Sequence, residues 1–145
     1  MTPTALDIGL ALGAAQARLS LEVDEALGML HGIALRDLAL LLQLLRSPQG
    51  TASRAALSTA LGLSSASLVR LCLPLEKTGL IERVPGRVGL RPAGARVARE
   101  AMVTASDATD RALGAAGAAD RVRLHGLLGV VAARPATACA SGVHP

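Results

Sequence analysis

Leu68, Leu71, Cys72 and Leu75 recur at helical spacing, yet shortly afterwards the chain changes to two short runs, 80–84 and 87–91, divided by Pro85-Gly86. Few folds accommodate such a change of period. Apolar residues at i, i+3, i+4 and i+7 line one face of a helix, whereas short β-prone runs on either side of a Pro-Gly turn form a hairpin. Upstream, Thr51 or Ser53 can cap a short helix ending near Leu61, because a side-chain hydroxyl satisfies an orphan amide at a helix start. Gly62-Leu63-Ser64 then turns the chain, and Ser64 or Ser65 caps the helix that carries the stripe. Two short helices joined by a glycine-containing turn are a helix-turn-helix unit, whose second helix enters the major groove with its N-terminal end first. With the hairpin added, the predicted fold is mainly α, a winged helix-turn-helix with a small β-hairpin wing.

Long helices flank this unit. Residues 4–30 read as one helix with two apolar stripes, Leu6, Leu10, Ala14, Ala17 and Leu21 on one and Leu12, Leu19, Val23, Leu27 and Leu30 on the other. Two stripes need two surfaces, so one is expected to face a partner. Residues 35–46 have little polar face and predict a buried central helix, stopped by the turn residues Ser47-Pro48-Gln49-Gly50. Pro74 removes the amide that would bond the carbonyl of Arg70 and is expected to bend the back half of its helix, and Gly79 ends that helix. A fifth helix is predicted over about 93–114 and a sixth over about 119–133. The segment beyond Pro135 is small and polar and is expected to be mobile.

Composition narrows the function. The chain contains no Phe, Tyr or Trp, so its core must be aliphatic and it lacks the stacking platforms of single-strand binders. Residues 50–99 hold seven arginines and one lysine against two glutamates, whereas 1–49 and 100–145 carry no excess of positive charge. A cationic middle third suits a polyanion, although an arginine-rich solvated surface would have the same composition. Cys72 and Cys139 match neither a disulfide framework nor a metal spacing, which fits a reducing cytoplasm. Acids and arginines interrupt every apolar segment before it could span a membrane, and the first residues do not read as a signal peptide. There is no phosphate loop, nucleophile elbow or metal-binding His-Glu-x-x-His, so no enzyme, cofactor or metal is expected.

The run "LGLSSASLVRLCLPLEKTGLIERV", followed by "VGLRPAG", resembles the MarR family of bacterial transcription regulators. The family pattern of a serine-led helix with V-T-R-L, then L-E-K-x-G-L-[IV]-x-R, a wing, and L-T-x-x-G is matched at Val69–Leu71, Leu75–Arg83 and Leu90–Gly94. The resemblance implies a homodimer built from the N- and C-terminal helices, a palindromic double-stranded DNA operator, and a small-molecule effector pocket between the dimerisation and DNA-binding regions. It divides the chain into a dimerisation helix (1–34), a winged-helix DNA-binding domain (35–92), C-terminal dimerisation helices (93–134) and a tail (135–145). The chain departs from the family at the wing, cut to Val84-Pro85-Gly86-Arg87, which leaves its reach to the minor groove open. It departs again at Arg91, which stands where the family has a capping threonine.

Ser64, Ser65 and Ser67 sit where hydroxyls can bond bases or phosphates, or act only as caps. Arg70 can fork onto a guanine edge or hold a phosphate, while Arg54, Arg83 and Arg87 are phosphate candidates. His31, at the junction of the first two helices, is a candidate ligand contact or simply a helix-end residue. Cys72 lies on the inward stripe and reads as an inert small hydrophobe rather than as a redox switch. His125 and His144 carry no signal. The expected function is a DNA-binding repressor released by an effector. The alternative is a winged-helix dimer with weak or no DNA binding, acting as a ligand-sensing or protein-interaction module.

Overall fold

The structure, a computed structural model, describes residues 1–133; the predicted mobile tail, with Cys139 and His144, lies outside the described residues. The chain divides into two compact units, the first ending at Ala112 and the second starting at Leu113.

Within the first unit, α1 (Ala5–His31) starts from a reciprocal cap. The Asp7 amide donates to Thr4 Oγ1 at 3.2 Å, and the Thr4 amide donates to Asp7 Oδ2 at 2.9 Å. The Thr4 hydroxyl, which donates to Asp7 Oδ2 at 2.6 Å, and the Thr4 amide bond together hold the fully exposed Asp7 carboxyl below its ordinary pKa. Gly32, at φ 66°, closes the helix in the left-handed conformation. α2 (Leu35–Leu45) follows at once, and its start is satisfied by two carboxylates. The Leu35 amide donates to Asp24 Oδ1 at 2.7 Å and the Ala34 amide to Asp37 Oδ2 at 2.8 Å.

A 3-10 turn, Pro48–Gly50, leads into a strand that sequence reasoning did not anticipate, β1 (Thr51–Ser53). α3 (Arg54–Leu61) is capped by Ser53, not Thr51, and α4 (Ser65–Lys77) by Ser64, not Ser65. α4 runs on through Pro74 to Lys77. β2 (Ile81–Val84) and β3 (Arg87–Leu90) form the expected hairpin, and β1 adds to β3 on the other side, giving an antiparallel sheet of order β1-β3-β2. α5 (Pro92–Ala112) completes the unit.

The core is aliphatic, as the composition requires. Leu38, Leu40, Leu41 and Leu44 make α2 the central helix, meeting Val23 and Leu27 of α1, Leu57 of α3, Leu68, Cys72 and Leu75 of α4, and Ile81 and Val88 of the hairpin. α5 packs against α1 and α2 through small residues, Ala98, Ala101, Ala105 and Ala108. Gly94 lets the start of α5 approach the hairpin: a Cβ there would stand 2.1 Å from the Leu80 carbonyl oxygen. That contact gives the glycine of the "RPAG" segment a physical role.

Of the two stripes on α1, only the C-terminal part of one is covered by this unit. Val23 and Leu27 are buried and Leu19 is half-buried, while Leu6, Ile8, Leu10, Leu12, Leu21 and Leu30 are exposed. In the second unit, α6 (Ala118–Ala132) starts at Gly117, and Arg121 donates to the carbonyls of Ala116 and Leu113 at 3.1 and 3.4 Å. Its Val122, Leu124, Leu127, Leu128, Val130 and Val131 are exposed. Among the described residues no single helix is long and apolar enough to cross a membrane.

Candidate nucleic-acid interface

The front of α4 is polar and open. Ser64 Oγ accepts the Ser67 amide at 3.2 Å and donates to Ser67 Oγ at 3.0 Å, and Arg70 Nη2 donates to Ser67 Oγ at 3.2 Å. The cap therefore continues as a chain of side-chain bonds that holds the Arg70 guanidinium along the helix. Ser64, Ser65 and Arg70 are exposed and Ser67 is half-buried. Ala66 and Val69 are exposed beside them, an apolar element that the inward stripe at i, i+3, i+4 and i+7 does not mark. Hydroxyls, a guanidinium fork and a small apolar patch are the groups that distinguish base edges in the major groove, where thymine contributes a methyl.

A second cationic group gathers where α3, α4 and the hairpin meet. Arg54 and Arg83 line a crevice of about 10 Å³ with Leu68, Val69, Cys72 and Val88. The two arginines differ in freedom: Arg83 Nε lies 2.6 Å from Glu76 Oε2 in a partly exposed ion pair, so its charge is largely neutralised locally. Arg54 is exposed at the first position of α3, and its amide donates to the Gly86 carbonyl at 3.3 Å. Arg87, also exposed, donates from Nη2 to Thr51 Oγ1 at 3.0 Å. Thr51 and Glu76 are thus partners of site residues that no local pattern marks, Thr51 because it stands 36 positions from Arg87.

Cys72 is buried at 2% exposure, and burial pushes its thiol above the ordinary value, partly opposed by the charges of Arg83 and Arg54. A thiol held in this protonated state is a poor nucleophile.

His31 lies apart from this surface. Its Nε2 is 2.9 Å from Thr104 Oγ1 of α5, and it lines a cavity of about 220 Å³ with Ile33, Asp37, Pro74, Thr78 and Val97. Burial pushes the Asp37 carboxyl up, opposed by the Ala34 amide bond and reinforced by the charge of Asp24. A larger cleft, about 730 Å³, opens between α2, α3 and α5, with Leu42, Arg46, Leu61, Met102 and Thr109 among its walls.

No protein-family model and no curated protein matches the sequence. Solved structures do match. One is a MarR family transcriptional regulator from Streptomyces coelicolor in complex with DNA, at 21% identity and a TM-score of 0.79, covering 96% of this chain and 94% of that one. A Mycobacterium tuberculosis MarR family protein in complex with DNA shares 25% identity at a TM-score of 0.69, covering 90% of this chain and 98% of that one. CouR from Rhodococcus jostii, bound to p-coumaroyl-CoA, shares 19% identity at a TM-score of 0.81, covering 91% and 96%. With its serine-capped α4, its short hairpin and its long α1 and α5, the chain has the winged-helix fold of the MarR family of transcriptional regulators.

Proposed function

We propose that the chain is a homodimeric DNA-binding transcription regulator, a repressor that a small-molecule effector releases from a palindromic operator. The observation that carries this reading is the bonded series Ser64–Ser67–Arg70 along the exposed front of α4, flanked by Arg54 and Arg87. In this reading Ser64, Ser65, Ser67 and Arg70 meet the major groove, while Arg54 and Arg87 meet phosphates. Residues 35–92 form the DNA-binding domain. The exposed leucines of α1 and the exposed apolar residues of α6 each present surface that a second copy would cover, which supports residues 1–34 and 93–134 as dimerisation segments.

An effector in the cavity beside His31 would press on the α1–α2 corner and on α4 around Pro74, and so would alter the separation of the two recognition helices. The ligand-bound state of CouR and the DNA-bound states of the two other relatives support both halves of this reading. A gel shift against the region upstream of the protein's own gene tests it. A salt-sensitive shift at micromolar protein, together with a dimeric mass in sedimentation, is expected. A monomer, or no shift in dilute buffer, refutes it. The Glu76–Arg83 ion pair removes one cation from the DNA-facing side and favours, as the second reading, a dimer that senses ligand with little DNA affinity. That reading predicts ligand binding without any shift.

A further inference from the structure

The wing is tied down from two sides. Ser53 of β1 and Val84 of β2 both stand opposite Arg87 of β3, so that only Pro85 and Gly86 lie beyond that rung. Proline followed by a glycine at φ 72° is the type II turn pattern, and it closes the hairpin at once. The Gly86 carbonyl then accepts the Arg54 amide at 3.3 Å, which fixes the tip level with the first residue of α3. Arg87, the basic group beside the tip, turns back along the sheet to Thr51 Oγ1 at 3.0 Å.

A minor groove is about 7.5 Å deep, and its floor offers acceptors to polar side chains. Pro85 and Gly86 carry none. A guanidinium has five N–H donors in a planar fork, and Thr51 engages one of them, leaving the others for an anion at the surface of the duplex.

We propose that the wing grips a backbone phosphate through Arg87, positioned by Thr51, and reads no bases, so that α4 alone discriminates the operator through the major groove. This rests on the DNA-binding reading above. The shared β3 rung makes the hairpin an extension of α3 rather than a separate arm, and Thr51 is its positioning residue.

The test uses the full-length protein and an operator obtained by selection from random duplexes, with binding followed by fluorescence anisotropy. Base pairs flanking the major-groove contacts are changed from A·T to G·C and, separately, to inosine·C, which lacks the minor-groove amino group of guanine but keeps its major-groove edge. Affinity is expected to change by less than about fivefold, the lower end for one specific base contact. Arg87→Ala should weaken binding to all duplexes alike and lower the slope of log K against log salt by about 0.9 for each arginine lost. Thr51→Val keeps a strand-forming side chain in β1 and should reproduce part of that loss with the ratio of specific to non-specific affinity unchanged. A preference for A·T or inosine·C flanks that disappears in Arg87→Ala overturns this inference while leaving DNA binding intact. If no duplex is bound in a salt-sensitive way, the DNA-binding reading falls and this inference falls with it.

Discussion

Gly94→Ala tests the packing that seats the hairpin. The added Cβ would meet the Leu80 carbonyl oxygen at 2.1 Å, the Leu80 carbonyl carbon at 3.0 Å and Leu90 Cδ1 at 2.8 Å. Leu90 can rotate, but the carbonyl cannot, because it accepts the Arg91 amide at 3.0 Å. Relief requires α5 to move off the hairpin, at about 1–3 kcal/mol for overpacking. Stretching the Arg91 bond adds about 1 kcal/mol. Alanine's better helix propensity returns about 0.5–1 kcal/mol. The net loss is about 1–3.5 kcal/mol, enough at about 2–4 °C per kcal/mol to lower Tm by roughly 2–14 °C. With no Trp or Tyr in the chain, urea unfolding must be followed by far-ultraviolet circular dichroism, at one protein concentration for all variants. Gly28→Ala in α1 is the control: nothing lies within 4 Å of its Cβ position, so the same substitution should stabilise by about 0.5–1 kcal/mol. Equal midpoints for Gly94→Ala and the wild type would refute the close-approach argument.

Glu76→Gln frees Arg83 from its ion pair, so the salt slope of DNA binding should steepen by about 0.9 for each arginine released; an unchanged slope would place Arg83 off the DNA. Asp37 has a raised pKa in the folded state, so the folded chain binds the proton first and stability rises as pH falls through that value, levelling off below the ordinary carboxylate value of 3.8. Asp37→Asn should abolish this rise relative to wild type in denaturant titrations across acid pH, and an identical pH profile would contradict the burial argument. In a Cys139→Ala background, Cys72 should react with a thiol reagent only as fast as the protein opens, because the side chain is 2% exposed. Labelling at the rate of a free thiol would restore a redox role.

The elements legible in the sequence were those with local causes. Ser64 announced the start of α4 through its hydroxyl, and Pro85-Gly86 announced the wing through backbone geometry. The apolar stripe of α4 packed inward at Leu68, Cys72 and Leu75 as its spacing predicts. β1 was not legible, because three residues are too few to display alternation and their partner, β3, lies far along the chain. The same distance hid the Arg87–Thr51 bond, and the Glu76–Arg83 pair forms only once the hairpin folds back on α4. The buried face of α5 escaped notice for another reason. Its core residues are alanines, which periodicity barely distinguishes from the alanines on its solvent side.

That alanine face has a mechanical consequence. Side chains without rotamers lose no conformational freedom when they meet a neighbour, but they also interlock poorly. A surface of methyl groups is close to smooth, so two rods in contact along it resist separation better than they resist sliding. The His31–Thr104 contact, joining the end of α1 to the middle of α5, adds a directional bond to the axial register and acts as a dowel between them.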